Sequence, residues 1–140
     1  MEIIIKTWPE ERQRVLDALE DFTRRHAVPA SVVKAADLAL EEHLTNVVSH
    51  GYDASAARDV VIRLTLELDG PWMQLEVEDG GRPFDPLSRL PVDTAVPLEQ
   101  REIGGLGVHL MRQFMDEIDY RRVTGKNILR MRKRLDKNAK

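Results

Sequence analysis

The chain contains no cysteine. That excludes a disulfide framework and any thiolate metal site, and it fits a reducing compartment. Long apolar runs are missing as well. The opening Met1-Glu2-Ile3-Ile4-Ile5-Lys6 has far too short an apolar stretch for a signal peptide. No later stretch reaches the roughly twenty apolar residues of a membrane span. A cytoplasmic protein without membrane attachment is expected. Charge is not heavily of one sign either: the formal net charge is -3 over 140 residues, which speaks against a general nucleic-acid binder. The basic run from Arg130 to Lys133, with Arg134, reads as a solvated edge strand rather than a contact for nucleic acid. His26, His43, His50 and His109 stand at no metal-ligating spacing, and His-Glu-x-x-His is absent. There is no internal repeat. With 42% hydrophobic and 32% charged residues, residues 1–140 read as a single globular domain large enough for its own core.

What is present is a run of well-marked elements. Ile3 to Lys6 reads as a strand. Thr7-Trp8-Pro9-Glu10 reads as a helix start, with Thr7 as cap, Glu10 as its capping-box partner and Pro9 in the first turn. Val15, Leu19 and Phe22 give that helix an apolar face to about Arg25. A second helix is expected from Ala30 or Ser31 to His50, with Gly51 just past its end. Val60 to Leu68 alternates apolar and polar residues, Asp69-Gly70-Pro71 signals a turn, and Met73, Leu75 and Val77 mark a second strand of a hairpin. Continuing that alternation puts Asp79 on the core side, where a carboxylate is costly without a partner. Pro86 to Ile103 carries three prolines and little periodicity, the mark of a long binding loop or lid. A third helix opens at Gly104, followed by a hairpin of Ile118–Thr124 and Asn127–Leu135 around Gly125-Lys126.

Three motifs carry chemistry. Glu42, Asn46 and His50 are spaced i, i+4, i+8, which stacks a carboxylate, an amide and an imidazole roughly on one helix face. Hard-cation binding and general-base catalysis use such groups, although a merely solvated face has the same pattern. Asp79-Gly80-Gly81 follows a strand. An acceptor-only carboxylate there can take a hydrogen bond from an exocyclic amine, and Gly81 lets a flat ring approach the backbone. An ordinary turn has the same letters. Gly104-Gly105-Leu106-Gly107 precedes a helix and exposes backbone N–H groups at its positive end, a phosphate site in principle. It is neither a Walker A loop nor a dinucleotide fingerprint.

The order of the three motifs resembles the Bergerat-fold ATP-binding superfamily, shared by gyrase-type ATPases, the ninety-kilodalton chaperone and histidine kinases. Within it the chain is most similar to the small anti-sigma-factor serine/threonine kinases. Leu40 to Tyr52 looks like their N box, Asp79 to Pro86 like their DxGxPFDP box, and Gly104 to Asp119 like their last glycine box and the strand after it. The resemblance implies an α/β two-layer sandwich, a mixed, mostly antiparallel sheet with helices on one face. It implies an enzyme that transfers phosphate from ATP to a serine or threonine hydroxyl. Glu42 would be the general base, and Asn46 would ligate Mg²⁺. Asp79 would bind the adenine amine beside Gly81. Gly105, Leu106, Gly107 and Val108 would cradle the phosphates, with His50 near the phosphate end. Asn127 stands where the family has a threonine-rich strand start that reaches the adenine. The implied partners are an anti-sigma-factor antagonist of the STAS type and a sigma factor or other regulated protein, in a partner-switching system, with a homodimer as the implied assembly. The rival expectation is a non-catalytic nucleotide-binding module that only sequesters a partner.

Overall fold

Period-two alternation on the strands places one face of a five-stranded sheet against the helices. The computed structural model describes residues 1–6, 8–51, 61–88 and 111–135. The strands are β1 (Glu2–Ile5), β2 (Ile62–Asp69), β3 (Trp72–Asp79), β4 (Glu117–Val123) and β5 (Lys126–Arg134). The helices are α1 (Arg12–Arg25) and α2 (Ala30–Gly51), and residues 111–114 are also helical. The sheet order is β1-β2-β3-β5-β4. Every pairing among the described residues is antiparallel, so the mixed, mostly antiparallel sheet expected from the sequence resolves to its antiparallel part.

The register lines up the core. Ile3 lies opposite Leu64, Leu64 opposite Val77, and Val77 opposite Leu129. Leu66, Leu75 and Met131 form the next row, and all of these side chains are buried. From the helix side, Val15, Leu19 and Phe22 of α1 and Val32, Ala36, Leu40, Leu44 and Val47 of α2 close the layer, joined by Met111 and Met115. Fully burying a side chain of this size contributes about 1.5–3 kcal/mol.

Three local expectations change. The Thr7–Glu10 capping box is replaced by a turn: α1 starts at Arg12, Glu11 takes the cap position, and no side chain caps it. Thr7 itself lies outside the described residues. The chain must climb from the sheet edge to the helix layer, and residues 8–11 make that turn, closed by Arg12 N–H on Pro9 O at 3.0 Å. The carboxylate that reaches back belongs to Glu11, which accepts the Lys6 N–H at 2.6 Å. Gly51 is the last residue of α2 rather than the first beyond it. Finally, β5 is not an edge strand, because β4 lies outside it. Its arginines point to the open face, where Arg130 and Arg132 are paired with acids. Arg130 pairs with Asp119 at 3.1 Å, and Arg132 pairs with Asp69 at 2.9 Å and with Glu117 at 3.0 Å. Arg132 and Arg134 also stack on Trp72. A basic face already paired with acids is a poor phosphate binder.

The β4–β5 hairpin turns on Thr124 and Gly125, both at positive φ (50° and 76°). Such a two-residue turn matches the sheet's twist. A Cβ on Gly125 would meet nothing within 4 Å, so Gly125→Ala tests backbone conformation alone. It is expected to cost about 1 kcal/mol, read as a lowered urea midpoint at unchanged slope.

Candidate functional site

Helix α2 brings the first motif to the buried side. At about 100° per residue, Ala35, Ala39, His43, Val47 and Leu40 sweep one broad arc, and all are buried. Asn46 lies inside that arc and is 4% exposed. Glu42 sits at its rim, half-buried. The polar face is therefore no solvated stripe: it begins in water at Glu42 and enters the core at Asn46. The Asn46 Nδ2 has no hydrogen-bond partner among the described residues. An unmet buried amide costs about 1–3 kcal/mol, so the surrounding helix and sheet hold it there against that penalty. Glu41, the neighbouring carboxylate, is engaged elsewhere, with Arg12 at 3.0 Å. His50 lies in α2, and its side chain is outside the described residues.

Asp79 ends β3 on the core side, 4% exposed, as the alternation requires. The expected partner exists. Its Oδ1 accepts the Gly81 N–H at 2.9 Å and the Asn127 Nδ2 at 3.1 Å. Asn127 faces it directly across the β3–β5 ladder. Burial pushes the Asp79 carboxyl up, against the opposing pull of Asn127, the Gly81 N–H, Arg122 and Lys126. Gly81 is buried beside it.

The loop after β3 is fastened rather than loose. Asn127 Nδ2 also donates to Arg82 O at 2.7 Å, and Phe84 N–H donates to Asn127 Oδ1 at 3.3 Å. Asp85 Oδ1 accepts the Leu87 N–H at 2.8 Å, and Arg112 holds Leu87 O at 2.9 Å. A short 3-10 turn, Pro86–Ser88, closes this segment. The expected lid beyond it and the phosphate cradle of Gly105, Leu106, Gly107 and Val108 lie outside the described residues.

Sequence reasoning overlooked Tyr120 and Arg122. Tyr120 Oη donates to Asn127 Oδ1 at 2.6 Å, and Arg122 Nη1 reaches both Asn127 Oδ1 at 3.0 Å and Gly81 O at 2.9 Å. The only signal in the sequence was the alternation Ile118, Tyr120, Arg122. Arg122 pairs with Asn127 across the hairpin, so it shares the parity of Ile118 and Tyr120, but at the sheet's end it is exposed.

A helix with a buried amide one turn after a carboxylate, a buried aspartate at a strand end and a tied glycine loop define a nucleotide-binding α/β domain. Comparison with known proteins bears this out, and the chain belongs to the histidine kinase-like ATPase domain family, which matches residues 6–133. It is 32% identical over 111 residues to the serine/threonine-protein kinase BtrW of Bordetella bronchiseptica, covering 79% of this chain and 77% of that protein. It is 34% identical over 79 residues to the anti-sigma F factor of Bacillus licheniformis, covering 56% of this chain and 53% of that protein. The crystal structure of the RsbU and RsbW domains of a Mycobacterium tuberculosis protein shares the fold, with a TM-score of 0.60 at 16% identity over 96% of this chain and 32% of that one. Among the described residues no helix is long and apolar enough to cross a membrane, and no three His, Asp or Glu side chains form a metal cage.

Proposed function

We propose that this chain is a Mg²⁺-ATP-dependent serine/threonine protein kinase acting as an anti-sigma regulatory factor in a partner-switching system. The observation that carries the reading is the unmet amide of Asn46, buried one helical turn beyond the half-exposed Glu42. A plain core helix has no use for either. Turning the amide presents its oxygen, a hard donor suited to Mg²⁺ completed by phosphates and waters. The named kinase and anti-sigma relatives support the same reading.

Bound Mg²⁺-ATP supplies the transferable phosphoryl group and neutralises its charge. This chain's residues position the reactants. Asp79 takes the exocyclic amine of the base, and Gly81 leaves room for the ring. Asn46 would hold the cation. Glu42, at the water-facing rim, orients the incoming hydroxyl and accepts its proton as the new O–P bond forms and ADP departs. Phosphoryl transfer asks for little more than such positioning and charge placement. Gly105, Leu106, Gly107 and Val108 are assigned to the phosphates, and His50 to their vicinity. The protein substrate is a small STAS-type anti-sigma-factor antagonist, the second partner a sigma factor, and the working form a cytoplasmic homodimer.

Calorimetric titration of ATP and ADP, with and without Mg²⁺, on the wild type and Asn46→Ala tests this. Affinity in Mg²⁺ is expected to fall about tenfold to a hundredfold in the variant, with little change in its absence. A folded wild type that binds neither nucleotide overturns the reading.

A further inference from the structure

Asn127 is the most heavily bonded side chain near Asp79, and the chemistry of its partners fixes which way its amide points. On one side stand two groups that can only accept: the Asp79 carboxylate at 3.1 Å and Arg82 O at 2.7 Å. On the other stand an arginine Nη1 at 3.0 Å and the Phe84 backbone N–H at 3.3 Å, which can only donate, with the Tyr120 hydroxyl at 2.6 Å. Both N–H bonds of Nδ2 are therefore committed to protein acceptors, and Oδ1 is crowded with donors. A side chain so occupied has no donor left for a nucleobase. It acts through Asp79 instead.

The two bonds to Asp79 from the described residues, those of Gly81 and Asn127, both end on Oδ1. Among those residues Oδ2 accepts none. Donors on Oδ1 favour the charged carboxylate, and a proton could sit only on Oδ2, the oxygen left to the ligand, so holding Asp79 ionised keeps Oδ2 an acceptor. If Asp79 took up a proton, it would become a donor, and the base it selects would invert from a 6-amino purine to a 6-oxo purine. Burial drives Asp79 toward the proton, while Asn127, the Gly81 N–H and Arg122 oppose it.

Building on the ATP site proposed above, we propose that Asn127 is a positioning residue that sets nucleobase selectivity, clamping Asp79 Oδ1 so that the carboxylate accepts from a 6-amino purine and rejects a 6-oxo purine. Arg122 and Tyr120 on β4 brace the clamp from the far side. The edge strand thereby contributes to recognition without touching the nucleotide.

The test compares ATP with inosine triphosphate, which differs only at the base, so that ribose and phosphate contacts cancel in the affinity ratio. Wild type is expected to prefer ATP about tenfold or more. N127D keeps the shape but turns both donors into acceptors beside Asp79, and two adjacent carboxyl groups share a proton. Its preference is expected to shrink about tenfold and to vary with pH between about 5 and 8. Thermal melting checks the fold. Where N127D folds poorly, N127A buries no charge and makes the same comparison, with the same expected loss of selectivity. A folded variant that weakens both nucleotides by one factor, keeping the wild-type ratio, overturns the proposal and leaves Asn127 a structural residue. A wild type that binds both nucleotides equally also overturns it while the ATP site stands. A wild type that binds neither removes both.

Discussion

Glu42→Ala is expected to lower phosphoryl transfer to a protein hydroxyl about a thousandfold while ATP affinity stays within a few-fold. General-base catalysis contributes roughly 10²–10⁴ in rate, and its loss falls on the chemical step because the base meets the nucleophile, not the nucleotide. The geometry favours a clean outcome. Glu42 is at the rim of the α2 interface and half-buried, so truncation leaves no cavity in the core. Its neighbour Glu41 cannot take over, being paired with Arg12 at 3.0 Å and pointing about 100° away on the helix. Single-turnover transfer from radiolabelled ATP to the partner gives the rate, and calorimetry gives the affinity. Glu42→Gln, which keeps volume and hydrogen bonding but not basicity, should lose nearly as much. A loss of only a few-fold would remove the base assignment. Wild-type protein that binds ATP and partner yet transfers nothing would establish the sequestering module instead.

The strands and the first two helices were legible because their hydrophobic periods are unbroken. The Val60–Leu68 and Met73–Val77 alternations led to β2 and β3 with the correct inward face, and that parity alone placed Asp79 in the core. The start of α1 was not legible. Thr7, Pro9 and Glu10 fit a capping box letter by letter, but the need to cross from sheet to helix layer is a tertiary demand that local preference cannot express. Arg130, Arg132 and Arg134 looked like an edge because strand order is invisible in one sequence. The partners of Arg130 and Arg132, namely Asp69, Glu117 and Asp119, come from other strands. The site was half legible for the same reason. Glu42 and Asn46 lie on one helix and Asp79 on one strand, so spacing reveals them. The Asn127 cluster joins residues from β3, β4, β5 and the loop between, and only the paired register assembles it.

His43 makes the last and sharpest prediction, a loss of stability in mild acid. It sits between Glu42 and Asn46 on α2, 3% exposed, with Nδ1 unpartnered among the described residues. Burial lowers its pKa from 6.5 to about 4. In the unfolded chain it takes a proton near its ordinary value, so between those two values the unfolded state binds more protons. Stability therefore falls as pH drops from about 6.5 toward 4, by about 3 kcal/mol in all, and the loss stops below 4, where both states are protonated. Asp79 and Asp37 work in the opposite direction, because burial raises both carboxyls. A wild-type curve alone mixes these terms. His43→Leu separates them: it replaces an unsatisfied imidazole with an apolar side chain on the buried arc of α2 that it shares with Ala39 and Val47, and it should stay within about 1 kcal/mol of wild type at pH 7. Urea midpoints at pH 7 and 4.5 should then show wild type losing about 2 kcal/mol more than the variant. Parallel losses would mean His43 is not held neutral in the core.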